Sequence, residues 1–386
     1  MKLFMIAGEP SGDHLGANLI QGFAARGVTL TLNGVAGPHM QAQGCPSLFP
    51  MIDLSVMGLA EVLPKYFHLK RRIRETAQAI LDTAPDVVIT IDSPDFCLRV
   101  ARIVKAANPN QRIVHYVAPS VWAWRPKRAV KMAAVVDHVL ALLPFEPPFM
   151  QAAGVSCDFV GHPIAHDPVV ADNYIAAFRE CYRLTGPTLT ILPGSRRGEI
   201  KRLMPIFADV LKRPEFAGYD LLFPTLPHLI KPLAPIVRSL PQVTHIIGLE
   251  DDLSKARLSR RLAMAAGDAA LIASGTVSLD LASVGTPMVV AYDVNWFSRL
   301  LLSQLLRVDT VTLVNLVSNT RDVPEFLGAN CTANAIAPAL QTLLQNPMSQ
   351  DAAMQKTMQL LGRGGDAPGL RAADSVLQFM GRVNQP

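Results

Sequence analysis

Short apolar runs recur along the chain, each closed by Gly, Pro, Ser or Asp and most of them followed by residues at helical spacing. Lys2–Ala7, Leu30–Ala36, Asp86–Ile91 and Ile113–Val117 read as buried strands in the first half, and Leu189–Leu192, Ala269–Ala273 and Met288–Ala291 in the second. Helices are predicted from about His14 to Ala25, from Glu199 to Met204, from Val277 to Val284, and over Ser349–Leu361 and Leu370–Met380. Strand followed by helix, repeated, predicts an α/β protein with largely parallel sheets. The rhythm lapses between His162 and Thr188 and restarts at Leu189. The expected domains are therefore 1–165 and 166–345. A helical tail over 346–386, interrupted by Gly362-Arg363-Gly364-Gly365, is expected to pack back on the first domain or on a partner subunit.

Composition narrows this picture. A chain of 386 residues is long for one core, and two domains of roughly 150–200 residues are the default. Half the residues are hydrophobic and 17% are charged, which argues against disorder. A net charge of +5 suits an anionic substrate or an anionic membrane surface, without the clustered basic stripe of a nucleic-acid binder. Five cysteines, odd in number and never closely spaced, form neither a disulfide framework nor a zinc pattern, so a reducing cytoplasm is expected. The N-terminus lacks the pattern of a signal peptide. No run reaches the ~18 apolar residues of a membrane span, because Asp137, His138 and Glu146 break the best candidate, Ala133–Phe149. A soluble protein able to touch a membrane is expected.

The richest chemistry lies in Leu189–Met204, LTILPGSRRGEIKRLM. Strand, Gly194-Ser195 turn and helix bring backbone N–H groups and a positive helix end to one point beside Arg196 and Arg197, an arrangement suited to a phosphate or diphosphate. An ordinary βα turn with solvated arginines is the competing reading. The loop is not a Gly-x-Ser-x-Gly elbow, a Walker loop or a dinucleotide fingerprint. Further on, Ser274 and Thr276 flank Gly275 before a helix, where their hydroxyls suit a phosphate, and Asp280 lies one turn in, where a ribose diol would sit.

In the first half, Asp92-Ser93-Pro94-Asp95 closes a strand at the end where open α/β sheets bind ligands. Either carboxylate suits a general base. Equally, Ser93 suits an N-cap, with Pro94 opening the helix and Asp95 in its first turn. Gly8, Gly12 and Gly16 allow close backbone approach. Trp122 and Trp124 beside Arg125 suggest a binding wall, although core packing is the commoner use of Trp. Val56–Arg74 is apolar at Val56, Met57 and Leu59 and basic at Lys70, Arg71 and Arg72, a pattern that fits anionic lipid or an acylated phosphate. A buried helix with a solvated basic end fits it too. Trp296–Arg307 is a second candidate for apolar contact. His162 and His166 are separated by Pro163, and a metal site there is not expected.

Ten segments, GEPSGDHLGANLI (8–20), GVAGPHMQAQGC (34–45), VMGLAEVLP (56–64), IDSPDF (91–96), HYVAPSVWAWRPKR (115–128), LLPFEPPF (142–149), FVGHP (159–163), LPGSRRGEI (192–200), ASGTVSLD (273–280) and PMVVAY (287–292), together resemble the lipid-A-disaccharide synthases. This is a family of bacterial glycosyltransferases. The resemblance implies a GT-B fold, with two Rossmann-like domains facing a central cleft, and no metal or other cofactor. It implies transfer from UDP-2,3-diacylglucosamine to 2,3-diacylglucosamine 1-phosphate, giving the β-1,6-linked disaccharide phosphate and UDP with inversion. It also implies a site on the cytoplasmic face of the inner membrane. Asp95 matches the expected base, with Asp92 and Glu9 in reserve, and Arg196, Ser274, Gly275, Thr276 and Asn315 match positions around UDP. A homodimer is the protein partnership considered, and no nucleic acid is expected. The chain departs from the family at Asp280, usually Glu, across Asn315–Arg321, and at Gly328, usually Gln. The competing functions are another UDP-sugar enzyme, such as a 2-epimerase, and a catalytically silent nucleotide or membrane-surface binder.

Overall fold

Each run expected to be a strand is one, and all but the edge strand at Thr31–Val35 are covered on both faces. The structure, a computed structural model, describes residues 1–54, 59–122, 127–250, 252–293 and 309–383, with backbone alone at 59–66, 253 and 382–383. Val56, Met57, Trp124, Arg125 and Trp296–Arg307 therefore lie outside the described residues, and so does the side chain of Leu59.

The first unit runs β1 (Lys2–Ala7), α1 (Pro10–Ala25), β2 (Thr31–Val35), α2 (Pro38–Ala42), α3 (Leu59–Thr83), β3 (Val87–Ile91), α4 (Pro94–Ala107), β4 (Ile113–Tyr116), α5 (Lys127–Ala133), β5 (His138–Ala141), α6 (Pro147–Gln151) and β6 (Ser156–Phe159). Its sheet is parallel throughout, in the order β2-β1-β3-β4-β5-β6. One core lies on each face: Phe4, Ile6, Val88, Ile113 and Val139 point into one, Leu3, Met5, Ile89, Val114 and Tyr116 into the other. Helix α1 begins at Pro10 rather than near His14, since a proline at the first position is already set for a helix.

The second unit runs α7 (Asp172–Cys181), β7 (Thr188–Leu192), α8 (Arg197–Leu211), β8 (Asp220–Pro224), α9 (Ile230–Val237), β9 (Thr244–Ile247), α10 (Leu253–Ala265), β10 (Ala269–Ile272), α11 (Val277–Val284), β11 (Met288–Tyr292), α12 (Leu313–Ser318), β12 (Glu325–Leu327), α13 (Ala333–Gln345) and α14 (Asp351–Leu360). Its sheet is also parallel, ordered β12-β11-β10-β7-β8-β9. Helix α8 outruns its expected end at Met204, continuing through Pro205 because Phe207, Val210 and Leu211 bury against this sheet.

The chain divides between His166 and Asp167, and residues from Gly364 on return to the first unit. The tail expected as one piece over 346–386 is thus split. Helix α14 stays with the second unit, burying Met354 and Met358, while α15 (Pro368–Val383) joins the first. Ala372, Ala373 and Val376 of α15 enter the core beside α1. The crossing is close because Gly22 and Gly369 meet there: a Cβ on Gly22 would lie 2.1 Å from the Gly369 carbonyl oxygen. His138 ties α15 to the sheet as well, its Nε2 lying 2.8 Å from Ser375 Oγ, which donates to Asp158 at 2.7 Å.

Candidate functional site

In each sheet the strand order reverses once, and at such a switch point two loops diverge from the carboxyl ends of neighbouring strands and leave a crevice. The reversal lies between β1 and β3 in the first unit and between β7 and β10 in the second. Most of the residues singled out above end these four strands.

At the first switch point Gly8 faces Ser93: a Cβ on Gly8 would lie 2.4 Å from Ser93 Oγ, so only glycine fits beneath that turn. Asp92 and Ser93 follow β3 with φ of 51° and 43°, and Val117 follows β4 with φ of 85°. Three non-glycine residues in the left-handed region, one of them β-branched, mark two neighbouring turns held against their own preference. Ser93 stands at the N-cap of α4 with Pro94 behind it, as the pattern allowed, but its side chain makes no capping bond.

Asp92, Pro94, His115, Val117, Ala118, Pro119, Ser120 and Arg128 enclose a cavity of about 230 Å³. The two carboxylates of the motif are thereby separated. Asp92 lines the cavity, whereas Asp95 is exposed on the first turn of α4 and Glu9 is exposed at the N-cap of α1. Asp13, from the same glycine-rich segment, is fully buried and accepts from the backbone N–H of Gly37, His39 and Met40 at 2.8–3.0 Å. It caps α2 and is committed to structure.

Trp122 is not a binding wall. It is buried edge-on to Phe145 and donates Nε1–H to Glu146 Oε1 at 3.4 Å. Glu146 also accepts from the Leu143 N–H at 3.0 Å, and burial pushes its carboxyl up to about 7. The basic face of α3 is corrected at one position. Arg72 is mostly buried, donates Nε–H to Asp53 at 3.0 Å and Nη1–H to Glu75 at 2.8 Å, and lies 4.2 Å above the Phe49 ring. Its charge is already matched. Lys70, Arg71 and Arg74 remain exposed and line a groove of about 610 Å³ with Phe67 and Glu75.

At the second switch point the 194–196 turn differs from expectation. The Ser195 and Arg196 N–H groups both donate to Glu199 Oε2, at 2.8 and 3.2 Å, so these amides are occupied by the protein's own carboxylate. Gly194, at φ 119°, is required because a Cβ there would strike the same carboxylate. The Arg196 guanidinium stays outside, with its side chain 74% exposed. Across the switch, Ser274, Gly275 and Thr276 open α11, and Thr276 makes no side-chain cap.

Asp280 sits half-buried near Arg257, Arg260 and Arg261. Burial, then the neighbouring Asp167, pushes its carboxyl up to about 6 against the pull of those arginines. Asn315 is corrected. It is buried, donates to the Val323 carbonyl at 2.9 Å and accepts from the Val323 N–H at 3.1 Å, and so pins the 319–325 loop instead of facing a ligand. Its second amide hydrogen points toward Thr310 and Glu325, and Glu325 in turn accepts from the Thr312 N–H at 2.8 Å. No three His, Cys, Asp or Glu side chains converge as metal ligands among the described residues.

Two parallel Rossmann-like units, each with its own switch point, are the architecture of the GT-B fold. S. aureus MnaA solved with UDP shares the fold at TM-score 0.64 and 15% identity, over 100% of this chain and 97% of that one. The Neisseria meningitidis UDP-GlcNAc 2-epimerase solved with UDP-GlcNAc shares it at TM-score 0.62 and 12% identity, over 99% and 100%. The family model described as lipid-A-disaccharide synthetase matches residues 3–367. The lipid-A-disaccharide synthase of Ruegeria pomeroyi is 55% identical over 383 residues, covering 98% of this chain and 95% of its own, and that of Rhodospirillum centenum is 41% identical over 388 residues, covering 98% and 95%. The chain belongs to the lipid-A-disaccharide synthase family.

Proposed function

We propose that the chain transfers 2,3-diacylglucosamine from its UDP conjugate to the 6-hydroxyl of 2,3-diacylglucosamine 1-phosphate, in the disaccharide-forming step of lipid A synthesis. Inversion follows from a single displacement. The acceptor oxygen bonds to the donor's anomeric carbon, the bond to the diphosphate breaks on the opposite face, and the acceptor proton passes to a carboxylate. The observation that carries this reading is the cavity at the carboxyl ends of β3 and β4, which holds one carboxylate in a strained, pre-set turn. Asp92 is therefore the base in our reading, in place of Asp95.

The leaving UDP is assigned to the second unit, with Arg196 on the diphosphate, Ser274, Gly275 and Thr276 at the positive end of α11, and Asp280 toward the ribose. Because Glu199 already holds the turn amides, the Arg196 guanidinium carries most of the contact there. Arg196→Ala is expected to weaken UDP binding by about tenfold, the value of one charge-assisted contact. Titration calorimetry with UDP checks this, and unchanged affinity would remove Arg196 from the diphosphate.

Among the described residues no helix is long and apolar enough to cross a membrane. Acylated substrates nonetheless call for peripheral contact with the inner face of the inner membrane, and the groove of Phe67, Lys70, Arg71 and Arg74 is its basic edge. Replacing Lys70, Arg71 and Arg74 with Ser should weaken binding to anionic vesicles several-fold, most at low salt. Vesicle sedimentation insensitive to both charge and salt would return this face to ordinary solvent. The overall reading is tested by acceptor-dependent release of UDP from UDP-2,3-diacylglucosamine in detergent and EDTA. Release without the acceptor, or none with it, would refute the transfer.

A further inference from the structure

His115 stands two residues before the strained Val117, on the face of β4 shared with Ile113, and its side chain is buried with 1% of its surface exposed. Such an imidazole must find partners for both ring nitrogens or lose stability. Nδ1 has one: Thr90 Oγ1 on the neighbouring strand, 2.7 Å away. The same hydroxyl lies 3.3 Å from the Val114 carbonyl, which completes a fixed polar clamp behind the ring. That leaves Nε2, and the ring lines the 230 Å³ cavity together with Asp92, Ser120 and Arg128. The volume is below the roughly 300–1,000 Å³ of pockets for drug-sized ligands and suits a single sugar ring. A carboxylate, an imidazole, a hydroxyl and a guanidinium around it suit a sugar bearing an anionic group.

We propose that His115 Nε2 hydrogen-bonds the acceptor's 4-hydroxyl and so sets the neighbouring 6-hydroxyl against Asp92, making His115 a specificity-determining residue of the acceptor site. This rests on the transfer reading given above. On the acceptor's sugar only the 4- and 6-hydroxyls are unsubstituted, and they are 1,3-related across C5, close enough for two side chains of one small cavity. Asp92 and His115 line the same cavity, which gives one hydrogen-bonding side chain to each hydroxyl of that pair. Burial holds the imidazolium down to about 4, so the ring is neutral at working pH. A neutral ring keeps one nitrogen as donor and the other as acceptor, so Nε2 can meet a hydroxyl in either role.

The test pairs enzyme and substrate variants. Wild-type protein should lose about tenfold in kcat/KM on an acceptor lacking the 4-hydroxyl, the value of one hydrogen bond between neutral groups. In His115→Ala and His115→Phe that penalty should vanish, so that both acceptors react at the same reduced rate while UDP affinity is unchanged. Penalties that multiply independently would overturn the proposal, since a merely structural histidine has no reason to sense the 4-hydroxyl. Should the wild-type protein transfer to neither acceptor, the transfer reading fails by itself. The cavity is then decided by titrating the protein with glucosamine 1-phosphate or inorganic phosphate while following the His115 ring proton by NMR. A saturable shift with the sugar phosphate alone supports the site, and no shift, or the same shift with phosphate, overturns it.

Discussion

Asp92→Asn is expected to lower kcat by about 10²–10⁴-fold with UDP affinity intact, the range for removal of a general base, or about 3–5 kcal/mol of transition-state stabilisation. Asparagine is the substitution that isolates the chemistry. Asp92 sits at φ 51°, and Asn tolerates the left-handed region as Asp does, whereas Ala would disturb the turn and confuse strain with catalysis. The amide is nearly isosteric, can still hydrogen-bond the acceptor hydroxyl, and cannot take its proton. Asp95→Asn, on the exposed first turn of α4, should keep kcat within a few-fold of wild type. The informative comparison is kcat at saturating acceptor for the two variants. Loss confined to Asp95→Asn would return the base to the residue the family resemblance favours. Comparable loss in both would mean that the turn, and not one carboxylate, is what matters.

The fold was largely legible because a strand buried on both faces has to be mostly apolar, and Lys2–Ala7, Val87–Ile91 and Ala269–Ile272 leave little choice. Val277–Val284 was legible to the residue, since a βα turn precedes it and Gly285, at φ 79°, closes it. The site was legible as loops but less well as side chains. Sequence places Asp92 and Asp95 in one motif; it does not show that the chain leaves β3 through two left-handed residues, which turns one carboxylate into the cavity and leaves the other on the surface. It shows amides at Ser195 and Arg196, but not that Glu199, one helical turn on, folds back over them as a capping box. That spacing was a signal that could have been used. Asn315 and Arg72 look like ligand contacts until their partners appear, and those partners, Val323 for one and Asp53 with Phe49 for the other, come from loops whose paths no local pattern specifies. His115 was hidden differently. A histidine inside an apolar strand reads as core, and only Thr90 on the next strand reveals which of its nitrogens is left for a ligand.

Two buried groups of the first unit should give opposite pH dependences of stability that nearly cancel in the intact protein. Burial lowers His115 from an ordinary 6.5 to about 4. Between these values the unfolded chain binds a proton that the folded chain refuses, so stability is present above pH 6.5 and is lost as pH falls toward 4. Burial raises Glu146 from 4.5 to about 7. There the folded chain keeps a proton that the unfolded chain releases, so stability is present below pH 4.5 and is lost as pH rises toward 7. From pH 4.5 to 6.5 each contributes a change of about 2 kcal/mol, with opposite sign, at ~1.4 kcal/mol per unit of pKa difference. Removing one should unmask the other. Relative to wild type, His115→Gln should lose stability as pH rises across this window, and Glu146→Gln should gain it. Urea unfolding at matched pH values, analysed as differences from wild type, cancels every other titrating group. Two difference curves of the same sign would contradict the burial argument for at least one residue. A flat curve for Glu146→Gln alone would mean that the Leu143 N–H and the Trp122 indole hold its carboxylate ionised despite the burial.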